Sequence, residues 1–331
     1  MADLAIDLHG GDLGPSHLIP ASLRYFQQHP QHNGLLFGLT DSCKPHLPTR
    51  LPANVDFKPC HHHLPAELNP AQLLRHRYGS GLELAYETLA DQGVDAVVSS
   101  EHTGVLMALM HRHGVPHPAV DRPVLVSWVP TARKPIVMLD LGASFSASAE
   151  QLLGFAAIGQ AIASESRARK PSLALLNLGV EANKGPHSLR LAAEQLRQWP
   201  DLDFRGFIEA DQIFQGRLDL VITDGFTGNA VIKSAEGTLD LTLSALREQL
   251  QGDWLGRVLG YFLNRRLKPQ FVRLDPRRSN GALLAGSPMT VIKSHGDADA
   301  LAFQAAIGRA VDAVEGRWCG RILDRLDQLI R

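Results

Sequence analysis

Seven times along the chain a run of aliphatic residues ends in a turn rich in glycine, aspartate or asparagine. The runs read LAIDLHGGDLGP, DAVVSSEHTG, VLVSWVPTARK, IVMLDLGAS, LALLNLGVEANKG, LDLVITDGFTGN and TVIKSHGDAD. A strand buried on both faces needs apolar side chains at every position, so uninterrupted runs of this kind are the mark of a parallel sheet covered by helices. The pattern predicts strands at 3–8, 34–39, 94–99, 123–129, 135–141, 172–178, 204–209, 218–223 and 289–294. Helical stretches at 16–29, 81–92, 149–166, 187–198, 230–250 and 297–315 alternate with them. Such alternation predicts an α/β fold, a three-layer α/β/α arrangement around a doubly wound, mainly parallel sheet. In a sheet of that kind the loops leaving the carboxyl ends of the strands converge on one crevice. No linker divides the chain, so residues 1–331 read as one elaborated domain, with Pro- and Gly-punctuated excursions at 43–66 and 114–123.

One segment, 249–278, breaks the rhythm. Leu255, Val258, Leu259 and Phe262 fall at i, i+3, i+4 and i+7, Trp254 and Tyr261 widen the apolar face, and Arg257, Arg265, Arg266 and Lys268 add positive charge. This is the make-up of a basic amphipathic helix lying on a membrane surface. It is equally that of a helix packed on the core or across a dimer interface.

Composition narrows the field. A chain of 331 residues has room for a large core, and a formal charge of -1 creates no global field to recruit nucleic acid. Cys43, Cys60 and Cys319 are odd in number and far apart, which suits a reducing compartment rather than a disulfide framework. The opening MADLAIDLHGGD lacks a basic n-region and a long apolar core and reads as a first strand. No stretch reaches the ~18 apolar residues of a membrane span. The expectation is a cytoplasmic protein with peripheral membrane contact.

The richest turn is Asp224, Gly225, Phe226, Thr227, Gly228 and Asn229, with Lys233 one helical turn further on. Glycines allow close backbone approach, a helix start directs N–H groups outward, and lysine adds a point charge, a combination suited to phosphate. The same glycines also serve simply to make a tight strand-to-helix turn. Lys184, Lys233, Arg133, Lys134, Lys293 and His295 all stand at or beyond strand ends. Cys60, His61, His62 and His63 are consecutive, and consecutive residues do not converge on one metal ion, so the run reads as a polar loop. Neither G-x-G-x-x-G after the first strand, nor a P-loop, nor a G-x-S-x-G elbow occurs.

In order along the chain stand DLHGGDLGP at 7–15, GSGLELAYE at 79–87, DAVVSSEHTGVLMA at 95–108, RPVLVSWVP at 122–130 and VMLDLGAS at 137–144. They are followed by LALLNLGVEANKG at 173–185, TDGFTGNAVIKSAEG at 223–237, NGALLAG at 280–286 and VIKSHGDADALAF at 291–303. Together these resemble the acyl-ACP:phosphate acyltransferase family, PlsX, over almost the whole chain. The resemblance implies a homodimer with a fold related to phosphotransacetylases and isopropylmalate dehydrogenases. It implies transfer of a long-chain acyl group from acyl carrier protein to inorganic phosphate. The acyl phosphate then goes to a membrane glycerol-phosphate acyltransferase for phospholipid synthesis. No cofactor or metal is implied, and 249–278 falls where the family carries a membrane-associated helical insertion.

Carried onto these residues, the resemblance makes Thr103, Gly104, Asp224, Gly225 and Gly228 the candidate anion-binding turns, with Asn229 and Lys233 as catalytic groups. Lys184, Glu181 and His295 follow as positioning or proton-transfer groups near the leaving thiolate. The matching turns add Gly10, Gly11, Asp12, Ser80, Asp140 and Gly142 to the substrate site. Trp254, Leu255, Leu259, Phe262, Arg265, Arg266 and Lys268 are the candidate contacts to an anionic membrane or to the acidic carrier protein.

Departures from the family pattern cluster at the turns. Glu101 and His102 replace glycine and asparagine in S-A-G-N-T-G, Ser144 replaces asparagine in D-L-G-A-N, and Val180 and Ala182 replace glutamates around Glu181. A carboxylate beside a phosphate site repels the substrate unless a cation offsets it. Three readings follow: an active acyl-ACP enzyme, a catalytically weak scaffold that binds carrier protein or membrane, and an acyltransferase using short-chain acyl-CoA.

Overall fold

The computed structural model describes residues 1–65, 68–164, 170–251 and 254–330. Eleven strands form one sheet. In chain order they are β1 (Asp3–Asp7), β2 (Asn33–Leu39), β3 (Val55–Cys60), β4 (Ala96–Ser99), β5 (Val124–Val129), β6 (Ile136–Leu139), β7 (Ser172–Leu176), β8 (Asp203–Ile208), β9 (Leu220–Ile222), β10 (Ala282–Ala285) and β11 (Val291–Lys293). Their spatial order is β3-β2-β1-β4-β11-β10-β5-β6-β9-β7-β8.

The longer helices are α1 (Pro15–Gln28), α4 (Gly81–Ala90), α5 (Thr103–His113), α6 (Ala149–Ala163), α7 (His187–Leu196), α9 (Gly225–Gln251), α10 (Trp254–Leu274), α11 (Ala300–Glu315) and α12 (Trp318–Ile330). Short helices α2 (Thr40–Cys43), α3 (Pro70–Leu73) and α8 (Ala210–Ile213) fill connections. The helices cover both faces of the sheet. On β1, Leu4 and Ile6 join one apolar cluster with Phe26, Phe155, Phe303 and Ile307, while Ala5 joins another with Tyr86, Val97 and Leu106. A third cluster packs Met138, Ala174 and Val221 beneath Ile213 and Ile232. Burial on both faces is why these strands read as unbroken aliphatic runs.

Two strands escaped the sequence reading. β3 lies in the expected excursion at 43–66 and pairs only with β2, an edge position that tolerates Pro59. β10 is four residues bounded by glycines, too short to announce itself.

The sheet is also less uniform than the expected doubly wound pattern. β5 runs antiparallel to β6 and β10, and β10 antiparallel to β11. These reversals separate two parallel blocks of opposite direction, β3-β2-β1-β4-β11 and β6-β9-β7-β8. The strand-end turns therefore leave from opposite edges of the sheet rather than from one. The two sets meet through α9, which starts at Gly225 after β9 and brings Glu236 to within 3.9 Å of His295 after β11.

Within 249–278, α9 runs on to Gln251 and packs against α10, with Gly260 facing Leu250. Among the described residues no helix is long and apolar enough to cross a membrane.

Candidate active site

The first set of turns follows β1, β4 and β11. Asp7, the last residue of β1, is buried, accepts the Ser99 hydroxyl at 2.6 Å and the His9 N–H at 3.1 Å. Burial raises its carboxyl to about 6, and the nearby Glu101 charge adds to the rise while the two hydrogen bonds oppose it. Gly10 and Gly11 follow. Gly11 has φ of +79°, and a Cβ there would stand 2.5 Å from the Gly296 carbonyl oxygen, so only glycine lets these two turns close on each other. Asp12 N–H donates to that same carbonyl at 2.8 Å, which leaves the exposed Asp12 carboxylate at the rim.

After β4 the chain enters α5 without a side-chain cap, because His102 makes no cap bond. The N–H groups of Thr103 and Gly104 are thus the open end of a helix dipole, the usual setting for an anion. Gly104 backs onto Pro70. Glu101 turns its carboxylate onto its neighbour, accepting the His102 N–H at 2.8 Å. The Ser294 N–H donates to Ser99 O at 2.8 Å, and the Lys293 ammonium donates to Ser294 O at 3.1 Å. Burial holds Lys293 below the ordinary lysine range, an effect that the Glu101 charge opposes.

The second set follows β6, β7 and β9. Asp140 is fully buried, with Oδ1 accepting the N–H of Leu125 and of Ala143, each at 3.1 Å. Its Oδ2 has no hydrogen-bond partner and lies against Gly225. Burial pushes this carboxyl up, tempered by the two amides and by the nearby Ser144 hydroxyl. A Cβ at Gly225 would meet Ser144 O at 2.5 Å, and Gly228 is likewise pressed against the Asp140 carbonyl. Gly142 approaches the side chain of Asn229.

α9 joins the two sets. Asn229, Lys233 and Glu236 are spaced i, i+4 and i+7 and share a face. Lys233 pairs with Glu236 at 3.0 Å, and Glu236 also lies 3.9 Å from His295, in the turn after β11. Burial depresses His295 below its usual range, as do the cations Lys233 and Lys293, against the pull of Glu236 and Asp297. The imidazole is therefore mainly neutral near neutral pH.

Several expected site residues carry structural duties. Ser80 is the buried N-cap of α4, in a reciprocal capping box with Glu83. Asp224 bonds the Thr227 amide at 2.9 Å and hydroxyl at 2.8 Å, so both of its carboxylate oxygens are engaged within the first turn of α9. Lys184 and Glu181 form an exposed ion pair at 2.9 Å beyond β7, and no described contact joins them to Thr103 or His295. Lys134 pairs with the buried Asp219 inside the β5–β6 region. In the helical hairpin, Trp254 and Phe262 are 74% and 63% exposed. Arg265, Arg266 and Lys268 are exposed too, whereas the side chains of Leu255 and Leu259 lie outside the described residues. Sequence reasoning did not single out Asp7 or Glu236. The position of Asp7 at the end of the first strand and the three-residue step from Lys233 to Glu236 were the available signals.

The turns of this α/β/α scaffold present an open helix start, a lysine and a neutral imidazole, groups with the chemistry to hold an anion and move a proton. A profile described as "Fatty acid synthesis protein" matches residues 2–321. Phosphate acyltransferases of Stutzerimonas stutzeri and Photobacterium profundum are 38% and 35% identical to this chain, covering 99% of it and 93% and 97% of their own lengths. The chain belongs to this fatty acid synthesis protein family, the PlsX family, and is an acyltransferase. A phosphotransacetylase from Streptococcus pyogenes shares the fold, with a TM-score of 0.59 at 14% identity over 96% of this chain and 94% of its own. A branched-chain phosphotransacylase from Enterococcus faecalis does so with 0.55 at 14% over 98% and 99%.

Proposed function

We propose that the enzyme transfers a long-chain acyl group from acyl carrier protein to inorganic phosphate, producing acyl phosphate for phospholipid synthesis. The observation that carries this reading is the uncapped start of α5 at Thr103 and Gly104. It belongs to the same set of turns as His295, which faces the Lys233–Glu236 stripe of α9. Phosphate near neutral pH is already nucleophilic, so the site has to hold it in line with the thioester carbonyl. A phosphate oxygen bonds to the carbonyl carbon, the oxyanion formed is stabilised by N–H donors and the ammonium groups, and the C–S bond then breaks. The thiolate leaves with the pantetheine arm and takes a proton. His295, neutral at rest, accepts the proton that hydrogen phosphate gives up on acylation and, as imidazolium, returns it to the departing thiolate. Lys184 and Glu181, an exposed ion pair beyond β7, take no assigned step in this reading.

The exposed apolar residues Leu241, Trp254, Tyr261 and Phe262 on the α9–α10 hairpin, flanked by Arg265, Arg266 and Lys268, support contact with an anionic membrane surface. A second reading, a weakly catalytic carrier-protein scaffold, draws on Glu101, whose charge bears on Lys293 and Asp7. The deciding experiment incubates purified protein with long-chain acyl carrier protein and phosphate and follows thiol release and acyl phosphate together. Phosphate-dependent release matched by acyl phosphate is expected. Carrier-protein binding without turnover, beside an active family member, selects the scaffold.

A further inference from the structure

Glu236 sits about 16 Å along α9 from Gly225, at the end of the helix face that begins with Asn229. Its half-buried carboxylate has a different neighbour for each oxygen. Oε2 accepts from the Lys233 ammonium at 3.0 Å, and Oε1 faces His295 Nε2 at 3.9 Å. The backbone of His295 is independently fixed, since its N–H donates to Asn280 Oδ1 at 3.1 Å and Asn280 in turn donates to Ser294 Oγ at 2.8 Å and Ala302 O at 2.9 Å. Each ring nitrogen has a carboxylate near it, Glu236 at Nε2 and Asp297, 3.5 Å from Nδ1, while the cations Lys233 and Lys293 also bear on the ring.

We propose that Glu236 is a positioning residue for the acyl transfer: one carboxylate, shared between Lys233 and His295, holds the ammonium and the imidazole in fixed relation across the crevice. The proposal rests on the reaction given above. Asp297 is 80% exposed and belongs to the same turn as His295, so it does not tie the ring to α9. Glu236 reaches towards the ring from the opposing helix, its Oε1 at 3.9 Å from Nε2, a separation that couples the two electrostatically rather than through a hydrogen bond. It also supplies negative charge where Lys233 and Lys293 both bear on His295, with Glu101 bearing on Lys293 from the β4 turn. Without it, Lys233 is released from its partner, and protonation of His295 becomes harder, because two cations then act on the ring against Asp297 alone.

The test compares Glu236→Gln and Glu236→Asp with the wild-type chain, using steady-state kinetics in phosphate and acyl carrier protein across pH. In parallel, the His295 ring is titrated by NMR of histidine-labelled protein, assigned through His295→Gln. Glu236→Gln is expected to unfold cooperatively at a similar temperature and to lose about tenfold or more in kcat/KM for phosphate, as a displaced reacting group does. Its His295 titration and the acidic limb of its rate profile move to lower pH, and Glu236→Asp recovers part of both. Wild-type kinetics and an unmoved His295 titration in Glu236→Gln overturn the proposal. So does a loss of activity that follows a fall in thermal stability, is equal in both variants and leaves the titration in place. If the wild-type chain forms no acyl phosphate, the proposed reaction fails on that result alone. The NMR titration still decides whether Glu236 controls His295.

Discussion

The backbone N–H of Gly225 donates to the Ser144 hydroxyl at 3.0 Å, tying the first turn of α9 to the loop after β6. Ser144 stands where the family pattern has asparagine, and it keeps a short polar acceptor in place beside the buried Asp140.

Ser144→Ala leaves the Gly225 N–H without that acceptor and removes a hydroxyl that lowers Asp140. The expected cost is about 1–2 kcal/mol of stability, the usual penalty for a buried group losing its partner. Urea denaturation measures it, and a variant as stable as the parent shows that water or relaxation replaces the bond.

In the proposed reaction, Glu101 places negative charge beside the uncapped helix start offered to phosphate. Glu101→Gly is expected to lower the KM for phosphate about threefold or more, with the gain shrinking as salt screens the charge. An unchanged KM at low ionic strength means that the carboxylate turned onto the His102 amide no longer bears on the substrate.

Asp7 introduces a pH dependence of known sign. Its carboxyl is raised from 3.8 to about 6 on folding, so the folded chain binds this proton more tightly than the unfolded chain. Stability from this group is therefore present at low pH, declines as pH rises through that window and is level above it. Asp7→Asn abolishes this slope, a difference of up to about 3 kcal/mol between the ends of the window. Denaturation midpoints at about pH 3.5 and pH 7 for both proteins span the window and read it, and identical pH dependence in the two would assign the slope elsewhere.

Substitutions in the helical hairpin distinguish lipid contact from carrier-protein contact. Trp254→Ser combined with Phe262→Ser is expected to reduce co-sedimentation with anionic vesicles about tenfold. Reversing Arg265, Arg266 and Lys268 to glutamate reduces it only where the lipid is anionic. A raised KM for acyl carrier protein with vesicle binding intact reassigns the basic cluster to the carrier.

Local pattern carried a great deal of this molecule. Seven aliphatic runs and two shorter apolar stretches located nine of the eleven strands, because burial on both faces constrains most positions of a central strand. Ser80 and Glu83, three residues apart, form the capping box that starts α4, a local signal that the reading of Ser80 as a substrate residue passed over. The turns that hold Gly11, Thr103, Gly225 and His295 were legible, since glycine and polar residues interrupt apolar runs only where the chain must turn.

What tertiary structure alone decided is which strands are neighbours and which way they run. A buried strand has the same composition whether its neighbour is parallel or antiparallel, so the reversals at β5 and β10 left no local trace. Those reversals divide the turns between two edges and make α9 the element that joins them, which is why Glu236 meets His295 across 59 residues of sequence. The same physics places Glu101 beside Lys293 and leaves Lys184 with Glu181 at a distance. The sequence by itself determined the layers and the chemistry available at the turns. Strand order and direction determined which of those groups face one another.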